Sequence, residues 1–272
     1  MELIRDGETL LMKVPGFSLT DTLNCGQCFR WTEKDGSFQG VHQGKFLEIT
    51  QKGDTLFFSH TTPEELSEIW IPYFDLNTDY SAMQAEFSSD PTLQKACAFA
   101  GGIRILRQNA WEALASFIIS QNNNIPRIKG ILSRLCECFG APCGSGWAFP
   151  EPERLIGMTA EDLAPLRAGF RARYLLDAAQ KVCSGQIDLH AIPQMSLKDA
   201  RSALMEITGV APKVADCALL FGFHRLDAFP VDTWIKKALA RYYPDGFPPF
   251  SNAGVAQQYL FHYIRCLDGT AN

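Results

Sequence analysis

The 272-residue sequence has no run of eighteen apolar residues, no low-complexity linker and no internal repeat. The first absence argues against a membrane-spanning helix, and the charged opening MELIRDGETL has no apolar stretch of the kind an export signal needs. The expectation is a soluble, intracellular, cytoplasmic protein without a membrane partner. Metal-ligand spacing is missing as well. Of nine cysteines the tightest groups are Cys25-x2-Cys28 and Cys136-x-Cys138-x4-Cys143, and neither has a second pair or neighbouring histidines to complete four ligands. An odd number of scattered cysteines fits reduced thiols better than a disulfide framework. A surplus of positive charge is lacking too: the net charge is −5, which on its face disfavours a nucleic-acid partner.

Charge distribution changes that reading. Residues 1–95 carry 7 basic and 15 acidic side chains, whereas residues 96–272 carry 18 and 15, so any DNA-binding face belongs to the second part. There Arg127, Lys129 and Arg134 form one acid-free basic cluster, and Arg167, Arg171 and Arg173 form another. By charge alone these could equally be solvated helix faces. Apolar side chains make up 46% of the chain, enough for a large core in one or two domains.

Residues 29–58 alternate apolar and polar positions between turn signals at Lys34-Asp35-Gly36, Gln43-Gly44 and Lys52-Gly53-Asp54, which predicts an antiparallel meander. Thr62-Pro63-Glu64-Glu65 then opens a helix toward Trp70. Beyond it strand signals nearly vanish. Helical spacing marks Asn109 to Ser120 and the segment after Pro126, with later helices at about 160–166, 172–183, 197–206, 212–222, 231–242 and 252–266. The fold class is therefore α+β: a small N-terminal antiparallel sheet over 1–90, followed by a mainly helical domain over 91–272.

The stretch Thr208-Gly209-Val210-Ala211-Pro212-Lys213 joins two of these helices, at about 197–222. Gly209 can take the positive φ of a tight turn, Val210 can tuck inward, and Pro212 presets the next helix. Amides at such a turn suit a phosphate, although a Gly-turn-Pro between packed helices is often only structural. Lys213 raises the odds of chemistry. A cation in the first turn of a helix opposes the dipole, which favours a neutral nucleophilic amine. Asp232, in Phe229-Pro230-Val231-Asp232, falls where another helix starts and is favoured there as a carboxylate, as a plain N-cap would be.

The run Gly209 to Cys217 followed by Phe229-Pro230-Val231-Asp232 closely resembles the helix-hairpin-helix and aspartate signature of the 8-oxoguanine DNA glycosylase family, within the endonuclease III superfamily. Cys25-Gly26-Gln27-Cys28-Phe29-Arg30-Trp31, Ser120-Gln121-Asn122-Asn123-Asn124-Ile125-Pro126-Arg127 and Phe170-Arg171-Ala172-Arg173-Tyr174 resemble three further family motifs, in the family's order. Together these motifs span most of the chain.

The resemblance implies that Lys213 attacks C1′ of a flipped nucleotide, expels the oxidised base and forms an imine that permits β-elimination. Asp232 stabilises the charge developing on the sugar. No metal or organic cofactor is implied. In the base pocket the Gly26 carbonyl would accept N7–H, a proton that 8-oxoguanine has and guanine lacks. Gln257 would read the Watson–Crick edge, and Phe261 and Cys217 would sandwich the ring, although Phe261 alone would pass for a core aromatic. The run 121–124 has poor helix propensity and should bend outward, as a plain solvated loop also would. By resemblance Asn122 and Arg127 contact the orphaned cytosine, and Phe170, where the family often has tyrosine, wedges into the stack near Arg171. Gly209, Val210, Ala211 and Trp234 would meet phosphates. The implied partner is double-stranded DNA containing 8-oxoguanine, bound by a monomer.

Departures from the pattern are specific. Ala211 stands where the hairpin usually has its second glycine, Trp234 replaces a histidine of some members, and only Cys266 follows the hairpin region, so no iron–sulfur cluster is expected. Three other readings stay open: a related glycosylase for alkylated bases or mismatched adenine, a catalytically weak DNA-damage-binding module, and a small-molecule enzyme using a lysine Schiff base.

Overall fold

The computed structural model describes residues 3–267. A hairpin of β1 (Leu3–Asp6) and β2 (Thr9–Lys13) precedes the short helix α1 (Leu19–Asn24). The expected meander follows as β3 (Thr32–Lys34), β4 (Ser37–His42), β5 (Lys45–Lys52) and β6 (Thr55–Ser59). Because β6 also pairs with β2, six antiparallel strands form one sheet in the order β1-β2-β6-β5-β4-β3. The register sets Leu10 opposite Phe58, Phe58 opposite Ile49, and Ile49 opposite Phe38. All four are buried, so one apolar row crosses four strands and fixes which face turns inward.

Thr62 caps the next helical run through a capping box with Glu65. That run comprises α2 (Pro63–Glu65), a π turn over Leu66–Trp70 and α3 (Ile71–Tyr73). Helices α4 (Tyr80–Phe87), α5 (Pro91–Ala100), α6 (Ala110–Ser120) and α7 (Ile125–Phe139) follow, capped by Asp79, Asp90, Asn109 and Asn124. A small hairpin, β7 (Pro142–Cys143) and β8 (Gly146–Trp147), leads to α8 (Arg171–Cys183). The chain closes with α9 (Leu197–Met205), α10 (Pro212–Gly222), α11 (Thr233–Tyr242) and α12 (Ala253–Leu267). Among the described residues no helix is long and apolar enough to cross a membrane, and no group of three or more His, Cys, Asp or Glu could hold a metal ion.

Some expectations need correction. The helix expected at 160–166 is only a 3-10 turn over Ala164–Leu166, ended by Arg167 at φ +56. Pro165 explains this: it has no N–H to close an α-helical bond to the Glu161 carbonyl, and its ring would crowd that carbonyl in an α-helix. The strands β1, β2, β7 and β8 and the helices α4 and α5 were not anticipated. Signals for some of them were present, in the turn pair Asp6-Gly7 and in the cap-and-start pair Asp90-Pro91.

Two apolar clusters form the core. One lies under the sheet, around Trp31, Leu47, Trp70 and Phe74; the other fills the helical bulk, where α6 packs against α10. Cys28 and Trp31 belong to the first and Cys25 and Phe29 to the second, so the 25–31 run lies along the seam. Buried Asp75 ties the two halves together. Its carboxylate accepts from Thr78 Oγ1 and Tyr80 OH at 2.8 Å and from Arg107 Nε at 2.9 Å, and pairs with His224 Nε2 at 3.2 Å, at the far end of α10.

Burial pushes the Asp75 carboxyl up, but the hydrogen bond and attraction from His224, with the Thr78 and Tyr80 hydroxyls, outweigh it and hold it at about 2. A folded-state value below the ordinary 3.8 means the stabilisation is present above that value and is lost as the pH falls towards about 2. Asparagine tolerates the left-handed backbone at this position (φ +52), so Asp75→Asn removes the charge with little strain. Urea unfolding at pH 7 is expected to show the variant less stable by about 2 kcal/mol. The gap should narrow below about pH 4; a gap independent of pH would contradict the assignment.

Candidate active site

α9 ends at Met205, and the chain turns through Thr208, Gly209 and Val210 into α10. Three features fix the turn. Asp177 Oδ2 accepts from the Thr208 amide at 2.7 Å and from Lys181 Nζ at 3.0 Å. Val210 buries its side chain and donates its amide to the Ile207 carbonyl at 3.0 Å. Gly209 sits at φ +79 against the ring of Tyr174, where an added Cβ would come within 2.3 Å of Cε2. Ala211, by contrast, is extended (φ −94, ψ 170), a conformation open to any residue. A methyl at this position therefore leaves this backbone unstrained.

Lys213, half-buried in the first turn of α10, holds Nζ 5.5 Å from the centre of the Phe117 ring. Phe117 belongs to α6; it meets Phe29 edge-on at 5.7 Å and stacks on Phe221 at 5.3 Å. One turn along α10 from the lysine, burial pushes the Cys217 thiol up to about 11, opposed by the Lys213 charge and reinforced by that of Asp232. Cys217 is thus a neutral thiol at neutral pH, with the amine and the carboxylate both acting on it. Asp232 caps α11, its Oδ1 accepting from the Ile235 amide at 2.8 Å. This bond fixes the carboxylate at a helix N-terminus, where negative charge is favoured.

Gln257 lies on α12, 4% exposed. Its Nε2 donates to the Pro230 carbonyl at 3.0 Å, two residues before Asp232, and its Oε1 is buried without a partner. A carbonyl can only accept, so this bond fixes which end of the amide is the oxygen. Phe261, one turn further along α12, faces Gly26, whose φ is +88: a Cβ added there would lie 3.7 Å from Phe261 Cε1. Gln258 Nε2 donates to the Cys25 carbonyl at 3.0 Å. Lys213, Cys217 and Asp232 are thus grouped on α10 and the start of α11, with Gln257 bonded to the segment before Asp232 and Phe261 beside Gly26.

Of the remaining expected residues, Arg171 bonds the bend that carries Asn122, lies against Phe170 and feels the charge of Arg127. Asn122 sits in the bend after α6 at φ +45, exposed, and Arg127 is exposed in the first turn of α7. Phe170 is 51% exposed, with its ring edge-on to Tyr174 at 5.5 Å. Tyr174 in turn supports Gly209, which links the exposed aromatic to the hairpin. Arg171 is 3% exposed; its guanidinium donates to the carbonyls of Gln121, Asn122 and Ala168. It clamps the 121–122 bend from inside the protein. Trp234 is half-buried, with Lys237 Nζ 4.7 Å from its ring centre.

Several supporting residues were not singled out from sequence. Gln27 is fully buried; its side chain donates to the carbonyls of Thr22 (2.9 Å) and Arg104 (2.8 Å) and accepts from the Leu106 amide at 2.9 Å. Tyr174, Asp177, Phe117 and Gln258 share that status. A buried glutamine between two cysteines, as in Cys25-Gly26-Gln27-Cys28, was the available sign for Gln27, whereas Asp177 and Phe117 lie on ordinary helical patterns.

A lysine in the first turn after a helical hairpin, an aspartate capping the following helix and an exposed aromatic beside the hairpin define a DNA glycosylase of the helix-hairpin-helix type. Residues 115–246 match the HhH-GPD superfamily of base excision DNA repair proteins, and residues 9–114 match the N-terminal domain of 8-oxoguanine DNA glycosylase. The chain belongs to the 8-oxoguanine DNA glycosylase family. It is 36% identical over 262 residues to an N-glycosylase/DNA lyase of Saccharomyces cerevisiae, covering 83% of this chain and 68% of that protein. The structure of MBOgg1 in complex with a low affinity DNA ligand superposes with a TM-score of 0.93 at 40% identity, over 98% of this chain and 99% of the other. The Clostridium acetobutylicum 8-oxoguanine glycosylase/lyase, in complex with double-stranded DNA containing cytosine opposite 8-oxoG, gives 0.91 at 36% identity over the same shares.

The two hairpin positions should respond in opposite ways to exchange of glycine and alanine. Gly209→Ala is expected to cost about 3 kcal/mol of stability, from positive-φ strain and the clash with Tyr174, and to weaken duplex binding. Ala211→Gly should stay within about 1 kcal/mol of the parent. Thermal unfolding with fluorescence anisotropy on a duplex tests both; equal effects at the two sites would show that the turn is not held as described.

Proposed function

We propose that this protein excises 8-oxoguanine from duplex DNA, preferentially opposite cytosine, and then cleaves the strand at the abasic site by β-elimination. The observation that carries the reading is the unpartnered Gln257 Oε1, 4% exposed and fixed through the bond of its Nε2 to Pro230. A buried acceptor left unpaired costs about 1–3 kcal/mol, a penalty removed by a ligand that brings donors. The Watson–Crick edge of 8-oxoguanine brings N1–H and the exocyclic amine. Its N7–H is the further donor, directed to the Gly26 carbonyl, and guanine lacks it.

Lys213 is the nucleophile. Its neutral amine forms a bond to C1′ as the C1′–N9 bond breaks and the electron pair leaves with the base. Asp232, its side chain fixed at the start of α11, stabilises the positive charge on the sugar as that bond lengthens. The resulting aminal opens at its C1′–O4′ bond, O4′ taking up the proton that the amine gives up, to leave a ring-opened iminium; loss of a proton at C2′ then expels the 3′ phosphate. Cys217, a neutral thiol, and Phe261 offer the flipped ring two uncharged faces. Asn122 and Arg127 fill the space it vacates, Phe170 wedges the stack, and Arg171 serves that face by holding the carbonyls of 121 and 122 in place. The amides of the 209–211 turn and the start of α11 beside Trp234 receive the backbone phosphates.

The same reading assigns residues 1–90 to a sheet unit that brings Gly26 to the pocket and residues 91–272 to the catalytic helical unit. One flipped base and one duplex occupy a single chain, so we assign a monomer acting wherever the cell keeps its genomic DNA. Borohydride trapping on a duplex with 8-oxoguanine opposite cytosine tests the chemistry. A covalent adduct is expected with the lesion and not with an undamaged duplex, and it should vanish in Lys213→Gln. Base release without an adduct in the parent protein would move the nucleophile to water.

A further inference from the structure

Two walls of the proposed base pocket meet at one side chain for which no role was assigned from the sequence. Arg265 lies on α12, one turn beyond Phe261, and is half-buried. Its guanidinium carbon stands 5.4 Å from the centre of the Phe261 ring. Its Nη2 donates to the Asn24 carbonyl at 2.8 Å. Its Nη1 is so close to Gly26 that a Cβ added there would lie 3.3 Å away. Gln258, also on α12, holds the next carbonyl, that of Cys25, at 3.0 Å. Two consecutive carbonyls of the 24–26 loop are therefore tied to α12, and the third belongs to Gly26, which takes a backbone conformation (φ +88) that only glycine adopts easily.

We infer that Arg265 is a positioning residue for base recognition: it sets the distance between the ring of Phe261 and the Gly26 carbonyl, and thereby the slot into which the flipped purine fits. The inference rests on the base-pocket reading above. The planar guanidinium is suited to the task because it covers the aromatic ring with its face while its edge reaches a carbonyl, which an ammonium cannot do together. Without it Phe261 loses its support on the side facing the loop, and the loop loses one of its two ties to α12. Neither change touches Lys213, Asp232 or the hairpin.

That separation supplies the test. Arg265→Leu and Arg265→Lys are compared with the parent protein in single-turnover release of 8-oxoguanine opposite cytosine, in cleavage of a duplex carrying a preformed abasic site, and in thermal unfolding. Cleavage at an abasic site needs no base in the slot. Arg265→Leu is expected to slow base release about tenfold, while abasic-site cleavage stays within about twofold and the unfolding midpoint falls by only a few degrees. Arg265→Lys should recover only part of the loss. In a Phe261→Ala background, Arg265→Leu should cost less than in the parent, because the share that acts through the ring is already gone and only the loop tie remains to be lost. Parallel loss of base release and abasic-site cleavage, or unchanged base release, would overturn the inference. A parent protein that fails to release 8-oxoguanine at all would instead remove the substrate reading on which it stands.

Discussion

The loop Cys25–Cys28 has to lie between two separately packed cores, and the buried carboxamide of Gln27 makes that possible. A loop in such a place brings backbone donors and acceptors out of water, each a liability unless paired. Gln27 accepts from the Leu106 amide and donates to the carbonyls of Thr22 and Arg104, while its own carbonyl accepts from Gln108 Nε2 at 2.8 Å. These bonds bind α1, the loop and the 104–108 segment into one unit. The segment leads directly into α6, whose Phe117 lies beneath the Lys213 amine. The position of Gly26 relative to Lys213 thus follows from one side chain that touches neither.

The same economy governs the hairpin. Tyr174 closes against Gly209, the Asp177 carboxylate holds the Thr208 amide, and Lys181 reaches both Asp177 and, at 2.6 Å, the Glu206 carbonyl. All three side chains come from α8, so one helix face fixes the turn that aims α10. At the start of α8, Phe170 packs edge-on to Tyr174 while Arg171 reaches the 121–122 bend. Three motifs far apart in sequence therefore report on one rigid arrangement, which explains why Phe-Arg-Ala-Arg-Tyr reads as a unit although only its first residue is strongly exposed among the aromatics.

Legibility of this fold in the sequence followed local rules. The meander could be read because its strands alternate with period two and its turns carry Asp-Gly and Gly residues, and α10 could be bounded because Pro212 and the apolar spacing agree. The β1–β2 hairpin was hidden because β1 is wholly exposed and shows no alternation. α4 has little amphipathic contrast, with only Tyr80 and Phe87 buried, and so left no periodic trace. In the site, Lys213, Asp232 and Gln257 stood out through their chemistry and motif. The burial of Arg171 did not, since an arginine beside an exposed aromatic reads as a surface cation until the carbonyls that receive it are known.

That burial bears on the acidic composition of the protein. Sequence-independent affinity for DNA comes mainly from cations placed against phosphates. Of the six basic residues in the two clusters, Arg171 donates to three backbone carbonyls, Lys129 Nζ donates to the Trp31 carbonyl at 3.0 Å, and Arg134 grips the Leu166 carbonyl through two nitrogens. Arg127, Arg167 and Arg173 remain exposed. Half of these six cations are therefore engaged with backbone carbonyls, and on the proposed reading the phosphates meet the exposed cations, the hairpin amides and the helix starts. Oriented amides cost nothing in side-chain entropy and hold a phosphate in one place, so they fix register more than they raise general affinity. On the proposed reading, a net-negative protein then draws discrimination from the pocket more than from the backbone. On that reading the buried Gln257 acceptor and the constrained Gly26 carbonyl serve that division of labour.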